Sequence, residues 1–467
     1  MKFPFSNEIQ SPHAHSASSI LMNRLLFVVS LLLTITSLAW SRPTTHQAAS
    51  SVIGQPDFTS DASTEPATAH SLDDPAHIAI DPTTGMLFVA DQGNNRVLRY
   101  ATEAAYQTHS AAEAVFGQSD FMSRDAADPP TASSFNAPAA VFVDAEGRLW
   151  VSDTDNSRVL RFDEASIKPS GADADAVIGQ TNFTSRDSPG PGSHSDFESP
   201  VGLVVDDEGR LWVADFGLDR ILRFDNAAEV EGRARADGVL GQPNFGTFDS
   251  DTSETAFNDP WGLWVDEAGR LWVADYGNSR VLRFDDAALK ENGGSADGVL
   301  GQEDFDSTDR GLAADRFEGP YFLTIAPDGT LWVDDFANSR VLGFLDGASK
   351  ADGADADIVL GQPDFTTDLD EGPNAQSITS PYGLATGRNG SLFVNDYSSN
   401  RVMVFEEFAV VASPVVSPGN AVLKAVFDKK IKKLKKKLKQ AKKSGKTARV
   451  KNLKSKIKKF KKKRSAL

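Results

Sequence analysis

Leu271-Trp-Val-Ala-Asp-Tyr-Gly-Asn-Ser-Arg-Val-Leu-Arg-Phe284 decides the fold, because the chain carries this phrase, lightly varied, six times. The other copies begin at Leu87, Leu149, Leu211, Leu331 and Leu392, so successive copies lie 62, 62, 60, 60 and 61 residues apart. A regular period of this size means one supersecondary unit stacked on copies of itself, since a single copy cannot bury its apolar face alone.

Each unit reads as four strands. The first follows a proline, as in Pro200-Val-Gly-Leu-Val-Val-Asp206, with equivalents after Pro75, Pro138, Pro260, Pro320 and Pro381. The second, Leu211-Trp-Val-Ala-Asp215, alternates Leu and Val on one face with Trp on the other, the period of two that a strand imposes. The third is Arg220-Ile-Leu-Arg-Phe224 and the fourth Val239-Leu-Gly-Gln242. Four antiparallel strands per repeat, without helical periodicity, make a propeller blade. The first Gly-Gln strand, Val52-Ile-Gly-Gln55, precedes the first full unit, and the last unit, ending at Phe405, has none after it. The expected fold is therefore all-β: a six-bladed β-propeller over 51–411, in which the N-terminal strand becomes the outer strand of the sixth blade and closes the ring.

The phrases Pro-x-Gly-Leu-x-Val-Asp, Gly-Arg-Leu-Trp-Val-Ala-Asp and Gly-Asn-Ser-Arg-Val-Leu-Arg-Phe resemble the blade pattern of NHL repeats, in all six copies. A unit of about 60 residues exceeds the roughly 40–50 of common propeller repeats. The excess lies between strands three and four, and between each Gly-Gln strand and the next proline, in loops of Asp, Ser, Thr, Gly and Pro expected at the surface. The resemblance implies a central channel. Among such proteins it also implies enzymes, namely a zinc-dependent peptide-amidating lyase and metal-dependent lactonases, as well as RNA-binding propellers.

The two ends of the chain read differently. Met22-Asn-Arg24, the apolar run Leu25–Leu38 and Ala39-Trp-Ser41 have the order of an export signal, which places a signal peptide over 1–41, with Met22 as an alternative start. A linker follows over 42–50. The chain has no cysteine, so an exported protein would rely on ring closure rather than disulfides. At the other end, 412–420 reads as a linker, and 421–467 holds 22 Lys and Arg against Asp428 alone, a net +21. The rest carries 26 basic against 64 acidic residues, a net −38. Apolar residues recur at heptad-like steps from Val422 to Ala441 and from Val450 to Phe460, on either side of Lys443-Ser-Gly-Lys446. That pattern predicts a lysine-rich α-helical hairpin, of coiled-coil type, with one apolar seam. Its uncompensated charge calls for an anionic partner: an anionic polymer, an anionic lipid, nucleic acid or an acidic protein surface. Nucleic acid bound by the propeller itself is not expected on so acidic a body.

For chemistry, residues shared by every blade carry least information. The six Asp and Arg pairs, from Asp91 and Arg96 to Asp396 and Arg401, read as turn chemistry, and Trp150, Trp212, Trp272 and Trp332 as core between blades. Positions at which the blades differ are the better candidates. The two residues after each strand-one proline lie at the channel mouth and read Ala76-His77, Ala139-Ala140, Val201-Gly202, Trp261-Gly262, Tyr321-Phe322 and Tyr382-Gly383. The candidate ligand-binding set is accordingly Trp261, Tyr321, Tyr382, His77 and Phe322, with packing of the funnel as the plainer explanation. After the signal, only His77 among five histidines lies in a blade strand, so a three-histidine zinc site is not expected. No catalytic residues, metal ligands or cofactor are assigned. Calcium stays open through the acidic runs Gly171–Asp175 and Asp352–Asp357. The resulting expectation is a secreted, periplasmic or cell-surface protein whose propeller face binds a protein, peptide or carbohydrate without catalysis. The alternative is a metal-dependent lyase or lactonase working in the channel.

Overall fold

The computed structural model describes residues 43–102, 106–187, 193–369 and 371–406, together with Lys435, Lys439, Lys454 and Lys458. The expected signal over 1–41, the linker over 412–420 and the helical hairpin over 421–467 therefore lie outside the described residues, those four isolated lysines apart.

The six repeats form six four-stranded antiparallel sheets. Blade III shows the pattern, running outward from the centre as Pro200–Val205, Leu211–Asp215, Arg220–Phe224 and Gly238–Leu240. Blade VI is assembled from both ends of the propeller. Pro381–Thr386, Leu392–Asp396 and Arg401–Phe405 take Ser51–Ile53 as their outer strand, with Val52 opposite Met403. The closure read from the unmatched Gly-Gln strand is what the chain adopts.

The repeated residues hold this frame. All four strand tryptophans are at most 2% exposed, and three of them donate Nε1–H to the aspartate of the preceding hairpin, as Trp150 does to Asp144 at 2.9 Å. Each Asp and Arg pair is wholly buried. In blade I, Arg96 Nε meets Asp91 Oδ2 at 2.6 Å, and its other nitrogens donate to the carbonyls of Phe121, Thr68 and Ser71. The spare oxygen of Asp91 accepts the Asp73 amide at 2.7 Å. A guanidinium can satisfy several acceptors in one plane, so one arginine ties two loop segments to its strand through three carbonyls. The glutamine of each Gly-Gln pair works alike: Gln242 Nε2 donates to Asp219 O and Asp249 O.

The long unit has a structural reason. Each outer strand would leave an open edge, and in every case a segment from beyond the blade covers it. The loop between strands three and four of the next blade supplies Gly171 N to Val115 O, Gly232 N to Val177 O, Gly293 N to Val239 O and Gly353 N to Val299 O, at 2.7–3.1 Å. His109 of blade I caps Val52 in the same way. Blade VI has no such loop of its own, and the stretch expected to be a linker, 42–50, takes its place. His46 N donates to Val359 O at 2.8 Å, and Gln47 reaches Glu406 O. A second latch follows the same geometry. Arg99, Arg161, Arg223 and Arg283 each donate to a carbonyl in the next blade's loop, whereas blade V, whose neighbour lacks that loop, has Gly343 instead.

Candidate functional site

The inner strands begin at the channel mouth, and the residues after their prolines meet there. At the second position blades III, IV and VI carry glycine, so that neighbouring backbones touch; a Cβ on Gly383 would lie 2.3 Å from Ala76 O. Blades I and V carry His77 and Phe322 instead, and these rings stack across the intervening blade with centroids 4.2 Å apart. Trp261, Tyr321 and Tyr382 also converge. Tyr321 and Tyr382 lie 4.3 Å apart, and Trp261 stands edge-on to both, at 4.8 and 5.9 Å. All five candidate residues thus belong to one cluster, with Phe322 6.2 Å from Tyr382. Phe322 and Tyr382 are buried and fill the funnel, while Trp261 and Tyr321 stay half-exposed on its rim.

Sequence reasoning missed two further groups here. The first is the turn residue directly after each Ala-Asp phrase. Blades I and II have Gln92 and Thr154, whereas blades III to VI have Phe216, Tyr276, Phe336 and Tyr397, all half-exposed. Tyr276 stacks on Tyr321 at 4.5 Å, Tyr397 packs on Tyr382 at 5.0 Å, and Phe216 and Phe336 add edge contacts. The second group sits one residue before the shared aspartate. There the other blades have Ala90, Ser152, Ala214 and Ala274, but blades V and VI have Asp334 and Asn395. Both differences were visible as departures from the repeat.

Asp334 alters the local fold. Its Oδ1 accepts the amides of Tyr321 at 2.6 Å and Phe322 at 2.8 Å. The inner strand of blade V is therefore only Leu323–Ile325, where the other five run six residues, and Tyr321 O turns to accept Gly262 N at 2.7 Å. The second oxygen, Oδ2, is buried without a partner, as are both side-chain polar atoms of Asn395 and the indole Nε1 of Trp261. Burial pushes the Asp334 carboxyl well above its usual range, against the two amides that pull it down. It pushes the His77 imidazole down to about 4, opposed by the Val141 carbonyl that Nδ1 meets at 3.0 Å. Burial also raises the phenols of Tyr321 and Tyr382, and that of Tyr397 to about 12. At neutral pH the mouth is therefore a set of uncharged rings over a buried acid.

Other candidates have structural occupations. In the acidic runs, Asp175 accepts the Asp163 amide and pairs with Lys168, Asp357 accepts the Leu345 amide and pairs with Lys350, and Asp352 accepts the Val299 amide. Among the described residues, no three His, Asp or Glu side chains are placed to hold a metal ion. Among the described residues, then, no such cluster is present for the metal centre that the lyase and lactonase alternative requires. A cavity of about 700 Å³ bounded by Glu65, Gln118, Met122 and Arg124 shares no residue with the aromatic mouth.

Comparison with known proteins agrees with this architecture. A family model for the NHL repeat matches residues 257–284, which fall in blade IV. Human NHL repeat-containing protein 2 is 23% identical over 388 residues, 76% of this chain and 49% of that protein. A probable peptidyl-alpha-hydroxyglycine alpha-amidating lyase of Caenorhabditis elegans is 28% identical over 158 residues, 33% of this chain and 39% of that protein. The chain spans half or less of the length of the curated relatives it matches. Among solved structures, a gluconolactonase from Xanthomonas campestris aligns at a TM-score of 0.42 and 15% identity over 77% of this chain and 98% of that one. Six four-stranded blades, a repeat match inside one of them and relatives that carry the same repeat together show a β-propeller that carries the NHL repeat.

Proposed function

We propose that this protein is an exported, non-catalytic binding propeller that engages its ligand at the aromatic mouth. The observation that carries this reading is where the repeat breaks. The buried Asp and Arg pairs are uniform around the ring, but the aromatic residues Trp261, Tyr276, Tyr321, Phe336, Tyr382 and Tyr397 belong to blades IV to VI, joined only by Phe216 of blade III. Half-exposed amphipathic rings grouped in a concavity favour contact with a protein, peptide or carbohydrate. The lysine-rich segment 421–467 would fasten the molecule to an anionic polymer, lipid or acidic protein surface, as its net +21 favours.

The test is a screen of the mature chain against glycan and peptide arrays, repeated with Trp261→Ala. Ligands retained by the first and lost by the second support the reading. Ligands bound equally by both would place recognition elsewhere. The tether is tested by washing the protein from its surface with salt, because exposed charge contacts weaken once the screening length falls to a few ångströms. Retention at about 1 M salt would overturn the electrostatic part.

A further inference from the structure

One blade departs from its neighbours at a seam, and the departure titrates. The residue that ends the short turn after each shared aspartate is Asn95, Ser157, Asp219, Ser279, Ser339 and Asn400 in turn around the ring. In blades I and VI the asparagine joins three pieces of chain. Asn95 Oδ1 accepts the amide of Ala137, the residue before the next inner-strand proline, at 2.8 Å. Its Nδ2 donates to Arg124 O in its own blade's loop at 3.1 Å. Asn400 does the same, accepting from Asp74 N at 2.8 Å and donating to Asp61 O at 2.8 Å. Asp219 keeps the first contact, with Asp259 N at 2.7 Å, but a carboxylate has no proton for the second. The carbonyl at the matching place is that of Phe248, six residues after Gln242, as Arg124 is six after Gln118 and Asp61 six after Gln55.

The surroundings of Asp219 are acidic. Asp259 faces it across the seam, Asp275 and Asp215 lie on the second strands of blades IV and III, and Asp249 and Asp251 are exposed in the loop itself. Arg280 and Arg220 are already paired with Asp275 and Asp215, at 2.7 and 3.0 Å. Burial pushes the Asp219 carboxyl up to about 6, and Asp259, Asp275 and Asp215 push the same way, against the pull of the Asp259 amide.

We propose that Asp219 is an acid-closed latch on the loop 243–251, at the seam between blades III and IV. Protonated, its Oδ2 donates to Phe248 O and stands in for the asparagine amide of blades I and VI. Ionised, it keeps the Asp259 amide but turns an acceptor toward an acceptor, and the loop tip is released. The base of the loop stays held, by Gln242 Nε2 on Asp249 O and by Arg220 Nη1 on Phe245 O. The sign follows from the raised carboxyl, because the folded state holds this proton more tightly than an unfolded aspartate near 3.9 does. The latch therefore contributes fully below about pH 4 and is lost as pH rises through about 6. It stands at the border of the aromatic half of the mouth, since it ends the turn of Phe216, whose ring meets Trp261 edge-on at 4.9 Å. The latch acts in the free protein, so it stands or falls apart from the binding reading.

The test is hydrogen–deuterium exchange of the mature chain from about pH 5 to about pH 7.5, with rates corrected for the intrinsic effect of pH. Peptides covering 244–251 should exchange about fivefold faster at the upper end, the worth of one hydrogen bond. The midpoint should lie near 6. Peptides covering 119–125 in blade I, where Asn95 holds the loop, should show no such transition. Asp219→Asn should protect the loop at every pH. Asp219→Ser, the residue of blades II, IV and V, should remove the transition should the asparagine variant fail to fold. Asp259→Asn, across the seam, should lower the midpoint and keep the transition. A native loop indifferent to pH overturns the proposal, as does the same transition in blade I. So does a transition that survives the loss of the Asp219 carboxyl, or one that Asp259→Asn abolishes.

Discussion

The two halves of the channel mouth are built on the same backbone and filled differently. On the side of blades I to III, the residues that follow the inner-strand prolines are Ala76, Ala139 and Val201, and all three are buried. On the side of blades IV to VI, the equivalents are Trp261, Tyr321 and Tyr382, backed by Tyr276, Phe336 and Tyr397. Elsewhere in the blades the two halves agree: the Asp and Arg pairs are buried in all six, and the Gly-Gln glutamines make the same two kinds of backbone contact. The frame is thus common property, and individuality is confined to the positions where a side chain can change without disturbing a strand. Asp334 is the exception that proves informative, because it shortens a strand and leaves an oxygen unpaired.

The comparison breaks most visibly if the frame can be cut without loss. Arg280 pairs with Asp275 at 2.7 Å and donates to the carbonyls of Phe305, Ser253 and Ala256, all within a buried site. Arg280→Ala strands a buried carboxylate and three acceptors, and should lower the unfolding free energy by about 3–5 kcal/mol in urea denaturation. A change under about 1 kcal/mol would show that the repeated pairs do not hold the blades.

A second, smaller effect sharpens the contrast at the centre of the ring. His77 is neutral in the folded chain, with its imidazole pushed down to about 4, whereas an unfolded histidine titrates near 6.5. The unfolded state therefore binds the extra proton between those values. Its contribution to stability is fully present above about pH 6.5 and is lost as pH falls toward about 4, amounting to at most about 3 kcal/mol. Partial access of the ring to the bore reduces that figure. Unfolding curves across this window, compared with His77→Gln, should show a slope in the native chain that the variant lacks. Equal slopes would mean that His77 is already solvated and that the Phe322 stack does not seal it.

Most of the frame was legible in the residues because it is periodic. The unmatched Val52-Ile-Gly-Gln55 sufficed to place the closing strand, since an unpaired edge at each end of the ring has one economical solution. The edge caps were not legible. They are backbone contacts between loops of different composition, and neither Gly293 nor His46 advertises the carbonyl it will meet. At the mouth, Trp261, Tyr321, Tyr382, Phe322 and His77 could be picked out because the proline marks the start of each inner strand. Tyr276, Phe336 and Tyr397 escaped because the turn they occupy was read for its aspartate and arginine. Asp334 and Asn395 escaped for a similar reason: a single polar residue in a strand looks like tolerance until its neighbours are seen to leave it unpaired.

The smallest stability effect is expected where the chemical effect should be largest. A core tryptophan truncated to alanine costs about 3–5 kcal/mol through lost burial and the cavity left behind. Trp261 differs from Trp272 in both respects, being half-exposed on the rim and having an indole N–H that is buried without an acceptor. Trp261→Ala removes that unmet donor along with the ring, and its surroundings face a mouth that solvent can fill. The two terms oppose each other, so thermal unfolding should register a loss of about 1 kcal/mol or less, against several for Trp272→Ala. Equal losses at the two positions would mean that the aromatic half of the mouth is core like the rest, and the asymmetry between the two halves would then be packing alone.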